Sequence, residues 1–191
     1  MNGSGANVAG CAGCAGRCCR SYAVGVTVRD VRALAEGTAM HPSDFIRLRD
    51  TKGEGFRLQP GGPAKEICLQ RRSETGACVF LMEIASGIAR CGVYAHRPLV
   101  CSTFPLSLHR GVVTTREDTV CGPDSWNLAT MDLPAYRRDI TRDRSAWAEH
   151  RQVMRSWNTV VDARGWKATS QDLYEYLLNC PLEAAAQGHK D

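Results

Sequence analysis

Four cysteines within nine residues constrain this chain more than anything else in it. They stand in "CAGCAGRCC" as Cys11, Cys14, Cys18 and Cys19, with only Ala, Gly and one Arg between them. Cys11 and Cys14 form a CxxC pair. A two-residue spacer lets two thiolates converge on one metal while the intervening backbone N–H groups point at the sulfurs. Glycine helps such a turn close, because it adopts backbone angles that other residues resist. Cys18 and Cys19 are adjacent, and neighbouring side chains usually diverge. The pair is therefore expected to feed two sites, or a cluster and its neighbour, rather than to grip one metal in the same way.

The remaining cysteines are spread wider. Cys78, Cys91, Cys101 and Cys121 are separated by 12, 9 and 19 residues and sit in the turn-like contexts "GAC", "ARCGVY", "RPLVCSTFP" and "VCGP". Four local and four distant thiols make eight, enough for two four-sulfur sites or one larger cluster with spare ligands. Either arrangement ties the N-terminal loop to the centre of the fold and makes metal binding part of folding. Of the ten cysteines, Cys68 and Cys180 stand outside this set. Cys68 reads as a ninth ligand or an exposed thiol, and Cys180, on the last helix, as a small core residue.

Composition decides how those thiols are read. No apolar run approaches the ~18 residues of a membrane span, and "MNGSGANVAG" lacks the basic start and apolar stretch of a secretory leader. A soluble cytoplasmic protein is the expectation, and in a reducing compartment clustered cysteines serve metals or redox chemistry rather than structural disulfides. The formal charge of +4, from 24 basic and 20 acidic residues, is too small to imply nucleic acid by itself. Hydrophobic residues at 43% suffice for a core, and aromatics at 7% make it largely aliphatic.

Local patterns place the elements. Residues 1–10 read as a flexible lead. "TVRDVRALAEG" (27–37) predicts a helix capped by Thr27, with Asp30 at its N-terminus, Val28, Val31, Leu34 and Ala35 on one face, and Gly37 as its end. "HPSDFIRLRD" (41–50) predicts a second short helix with Ser43 as its cap. Residues 51–66 are loop-like, and 78–115 predict short strands and loops. In 133–161, Tyr136, Ile140, Trp147, Met154 and Trp157 recur at helical spacing, and Ser170 is placed to cap a last helix. The expected fold is α+β: a small cysteine-rich metal-binding domain over 11–125, with few short strands and helices, and a helical C-terminal segment over 126–191.

The order of several motifs resembles a known family. "CAGCAGRCC", "GACVFL", "CGVYAHRPLVCSTFP" and "CGP" look like the YkgJ-type CxxCxxCC cysteine-cluster family, described as zinc- or iron-chelating and including flagellin lysine N-methylases. The resemblance covers residues 11 to about 123. It implies Cys11, Cys14, Cys18, Cys19, Cys78, Cys91, Cys101 and Cys121 as metal ligands, and it matches Tyr94, Arg97, Pro98, Phe104 and Pro105 to the central motif. Three departures stand out. The opening spacing is CxxCxxxCC, one residue longer than the family's name. Ser102 replaces an Arg common after the cysteine, and Cys68 is extra.

Thiolates suit zinc and iron–sulfur clusters alike. A zinc ribbon expects two CxxC knuckles and only one is present, so an iron–sulfur cluster, 4Fe–4S in type, is preferred over zinc. By resemblance, S-adenosylmethionine is a further candidate cofactor. A radical enzyme using it would need CxxxCxxC, but Ser21 stands at the third position. Arg97 and Tyr94 are the candidate cofactor-binding residues, Arg97 either holding an anion or donating to sulfur, or else pairing with a buried carboxylate or with backbone carbonyls. His96 and His109 bracket the central motif and are lesser ligand candidates.

Two classes of function follow. One is a cluster-dependent enzyme, an oxidoreductase or a protein-modifying lysine methyltransferase. The other is a non-enzymatic zinc- or iron-binding module for metal handling or partner binding. The expected partner is a protein substrate or partner protein, with no membrane role. Residues 27–49 also carry helix–turn–helix spacing with a basic "RLR", making a DNA-binding regulator the weakest reading.

Overall fold

The computed structural model describes residues 14–85, 87–121 and 125–182; the expected flexible lead and Cys11 lie outside them. The chain divides into two compact units, each assembled from two stretches. One takes the chain up to Val24 together with Leu69–Asp143, and the other takes Gly25–Cys68 together with everything from Arg144. The mixture of helices and short antiparallel strand pairs is α+β. No helix among the described residues is long and apolar enough to cross a membrane.

In the first unit the helix α1 (Arg17–Ser21) precedes two hairpins. Strands β3 (Leu81–Ala85) and β4 (Ile88–Cys91) pair antiparallel with Leu81 opposite Cys91 and Glu83 opposite Ala89, and a register shift falls between Glu83 and Ala85. A 3-10 turn (Tyr94–His96) and the short helix α4 (Leu99–Thr103) follow. Strands β5 (Leu106–His109) and β6 (Val112–Thr115) then pair across a tight turn in which Arg110 and Gly111 both have positive φ. Residues 78–115 thus form the short strands and turns expected of them. Leu106 packs with Tyr136 and Ile140, from the start of the long helix α5 (Leu133–Arg164). A second small core joins Ala77, Leu81 and Ala89, with Cys19 against it.

In the second unit, Thr27 and Asp30 close a capping box on α2 (Val28–Thr38): Thr27 N–H and Oγ1 donate to the Asp30 carboxylate at 2.8 and 2.7 Å. Val28, Val31 and Leu34 are buried as their spacing predicts. The helix runs through Gly37 and stops at Ala39, which takes the left-handed conformation at φ 56°. The second predicted helix is only one turn, α3 (Pro42–Phe45), capped by the His41 ring rather than by Ser43. From Ile46 the chain is extended as β1 (Ile46–Asp50), paired with β2 (Lys65–Leu69). "IRLRD" alternates apolar and charged residues, the period of a half-buried strand, and Arg49 pairs across the ladder with Glu66. The helix that would carry Arg47 and Arg49 into DNA is therefore a strand.

Along α5, Val153, Met154, Trp157 and Val161 are buried. Trp157 Nε1 donates to the Arg57 carbonyl at 2.7 Å, and its ring packs on Trp166 and Tyr176. Asn158 receives the Arg57 N–H and donates to the Gly55 carbonyl, so the 55–57 loop is pinned to the helix. The last helix, α6 (Ser170–Asn179), is capped one residue earlier than expected: Thr169, not Ser170, forms the box with Asp172. Its buried face presents Leu173, Tyr174 and Leu177.

His150 on α5 is buried between Phe56 and Trp147, with ring centroids at 5.4 and 5.1 Å. Burial, with a smaller contribution from Arg151, holds its pKa down at about 4. An unfolded histidine binds its proton below about pH 6.5. The native ring stays neutral until about pH 4. Stability from this group is thus complete above pH 6.5 and is lost as pH falls towards 4, by about 3 kcal/mol. Denaturant titrations from pH 7 to 4 should show this loss, and His150→Leu should flatten it.

Candidate metal centre

The N-terminal loop approaches the β3–β4 hairpin because its residues are small. The Cys14 carbonyl accepts the Ala89 N–H at 2.9 Å. Gly16 then turns the chain into α1 at φ 70°, and a Cβ there would stand 2.6 Å from Leu81 Cδ1. Gly16→Ala combines a left-handed alanine with that overlap. It should destabilise the first unit by about 1–3 kcal/mol. Gly87→Ala in the same unit, with φ 77° and open space around it, is the control that carries the conformational cost alone. Equal melting temperatures for the two variants would refute the packing argument.

On α1, Cys18 and Cys19 do not diverge. Their sulfurs lie 3.9 Å apart. Hydrogen bonding by Cys19 brings the Cys18 thiol down to about 7, while the same bond and burial push Cys19 up. The shared hydrogen bond thus favours ionisation of Cys18 over Cys19. The Cys19 carbonyl accepts the Cys78 N–H at 2.8 Å, bringing the distant cysteine to the helix. Cys78 interacts with the charges of Cys18 and Cys91, Cys91 with that of Cys18, and Cys19 with those of Cys78 and Cys101. Burial raises both Cys78 and Cys91 above the ordinary thiol range. Five cysteines from α1, the 78 turn, β4 and α4 therefore form one electrostatic group.

Arg97 belongs to that group. Its guanidinium lies 4.2 Å from the Tyr94 ring centroid, and its Nε donates to Ser102 Oγ at 3.1 Å. Its charge favours the thiolates of Cys18 and Cys91. Among the described residues its partners are a hydroxyl and an aromatic face, with neither a carboxylate nor a backbone carbonyl. Ser102, the departure from the family pattern, supplies that hydroxyl.

Cys14 and Cys121 belong to the same unit, where both are partly buried. The loop before Cys121 is held by Tyr22, whose hydroxyl donates to the Asp118 carbonyl and accepts the Val120 N–H. Among the described residues, no group of three or more His, Cys, Asp or Glu side chains stands at metal-ligand geometry. The thiols are gathered but not closed on a point. Cys68, on β2, belongs to the other unit; it is buried rather than an exposed thiol, and the charges of Glu66, Arg49 and Arg47 act on it. Cys180 is buried there, with Arg32 donating to its sulfur at 3.2 Å and to its carbonyl. His96 and His109 are exposed.

Two arginines that set the loop carry no signal in the sequence. Arg71 donates to the carbonyls of Arg20 and Tyr22, and Arg20 donates to the Ala15 carbonyl and pairs with Glu83. Together they satisfy carbonyls at both ends of α1, which is too short to stabilise itself. An arginine in a polar loop has no periodicity to announce such a role.

A cysteine-rich α+β unit with Arg97 near Cys18 and Cys91 fits the class of cysteine-cluster metal domains. The family model of the CxxCxxCC domain, described as zinc- or iron-chelating, matches residues 10–122, more than half of the 191-residue chain, and the protein belongs to this family. No curated protein and no solved structure matches the chain.

Proposed function

We propose that the first unit chelates zinc or iron through Cys18, Cys19, Cys78, Cys91 and Cys101, with Cys11, Cys14 and Cys121 as the remaining candidate ligands. The carrying observation is the approach of the cysteine-bearing segments: the Cys18 and Cys19 sulfurs lie 3.9 Å apart, the Cys78 N–H is held by the Cys19 carbonyl at 2.8 Å, and Cys91 stands opposite Leu81 in the adjoining hairpin. The donor set suits the group: soft sulfurs fit both zinc and iron–sulfur centres. A closed zinc site needs four ligands. An iron–sulfur cluster is likewise held by four cysteines, so the thiol count serves both; the single CxxC knuckle, where a zinc ribbon carries two, favours the iron–sulfur cluster. Such a centre supplies either structural cross-linking or electron transfer. Around it the chain's own residues act: Gly16 brings the loop close, Arg71 and Arg20 fix α1, and Arg97 lowers the cost of gathering negative sulfurs.

Anaerobic purification followed by metal and acid-labile sulfide analysis, with a visible spectrum, tests this reading. Iron and sulfide in matching amounts with charge-transfer absorption are expected. A colourless protein holding zinc and no sulfide would overturn the iron–sulfur preference while keeping the chelating role. Protein that takes up neither metal when reconstituted under reducing conditions would overturn both.

A further inference from the structure

The second unit contains a cavity of about 220 Å³ that the thiol chemistry does not use. Its apolar lining comes from Ile67, Trp147 and Met154, with His150 beside them. Its charged residues are Glu54, Lys65, Glu66 and Arg151. Two of these are already engaged: Lys65 Nζ holds Asp50 at 2.7 Å, and Glu66 pairs with Arg49. Among the described residues, Glu54 and Arg151 have neither an ion-pair nor a hydrogen-bond partner. One carboxylate and one guanidinium are therefore left over on the same cavity.

The walls are preformed. Phe56 and Lys65 exchange backbone hydrogen bonds at 2.8 and 2.9 Å. Any Cβ on Gly55 would stand 2.7 Å from the Lys65 backbone, so this wall permits only glycine. Asn158 anchors the same loop from the helix side. The His150 ring is clamped edge-on by Phe56 and Trp147, and only 7% of the residue is exposed. Its Nδ1 is buried without a hydrogen-bond partner among the described residues. Buried polar atoms are as a rule hydrogen-bonded, to protein, ligand or ordered water.

We propose that this cavity binds a small zwitterion with an apolar or aromatic body, an α-amino acid in chemical class. The ammonium group pairs with Glu54, the carboxylate with Arg151, and the side chain lies against Trp147 and Met154. A simple anion would pair with Arg151 and meet the unpaired charge of Glu54; a simple cation would pair with Glu54 and meet that of Arg151. A molecule carrying both charges meets each with its opposite. A metal ion is the poorer occupant: His150, Glu54 and Glu66 are the lining residues with ligand chemistry, and they do not form a ligand group.

Calorimetric titration of the full chain tests the proposal, using L-phenylalanine and L-methionine against phenylacetate and phenethylamine. Saturable binding of at least one amino acid is expected, about tenfold or more tighter than either single-charge analogue, with quenching of tryptophan fluorescence. Arg151→Gln and Glu54→Gln, both at exposed positions, should each weaken it about tenfold without moving the melting temperature. No saturation by either amino acid, equal binding of phenylacetate, or binding indifferent to both substitutions would each overturn the proposal. Metal content is untouched by any of these outcomes, so the cavity and the thiol centre are tested separately.

Discussion

Cys78→Ala is expected to empty the metal centre and to unfold the first unit. Cys78 is the hinge of the proposed ligand set: it is 7% exposed, its N–H is held by the Cys19 carbonyl, and its charge meets those of Cys18 and Cys91. The free energy of a structural thiolate site, about 10–16 kcal/mol for zinc in small domains, rivals the whole stability of a domain at about 5–15 kcal/mol. Alanine is chosen over serine because a buried hydroxyl would add its own cost. Cys101→Ala should behave the same way, whereas Cys68→Ala and Cys180→Ala should keep full metal content. Elemental analysis of the four variants separates the sets. Unchanged metal in both Cys78→Ala and Cys101→Ala would contradict the ligand assignment.

Trp157→Ala is expected to destabilise the second unit by about 3–5 kcal/mol. The side chain is 1% exposed and touches Trp166 and Tyr176, so truncation leaves a cavity that two large neighbours cannot fill. It also strips the Arg57 carbonyl of its donor. Trp157→Phe keeps most of the volume and loses the N–H, and should cost about 1–2 kcal/mol. Urea titration followed by far-ultraviolet dichroism measures both. Equal effects of the two variants would show that the hydrogen bond, not the packing, carries the contribution.

What could be read from the sequence follows from how local each cause is. The capped helices were legible because Thr27–Asp30 and the α5 stripe are written within a few residues of one another. Even there, a one-residue ambiguity at "TS" hid the true cap: Asp172 stands three residues beyond Thr169, which settles the box on that threonine. The strand β1 was missed because "HPSDF" does start a helix, and only pairing with Lys65–Leu69 shows where it stops. The cysteines can be marked as candidates from the sequence, since sulfur chemistry identifies each one wherever it falls. The contact between Cys18 and Cys19 was not legible there, because it depends on one helical turn held by Arg71 and Arg20. His150 carried no signal, since an isolated histidine on a charged helix looks solvated until its neighbours are known.

The two-stretch construction of the first unit has a consequence for how the protein is made. Cys19 leaves the ribosome 82 residues ahead of Cys101, and the chain between includes all of Gly25–Cys68, which belongs to the other unit. At about 5–20 residues per second, the first thiols wait roughly 4–16 s for the last of their neighbours. During that interval the nascent cysteines face solvent, oxidants and stray metals without Arg97 or the hairpin to shield them. Completion of the proposed centre then waits for Cys101, and its yield depends on what the cell keeps near the emerging chain.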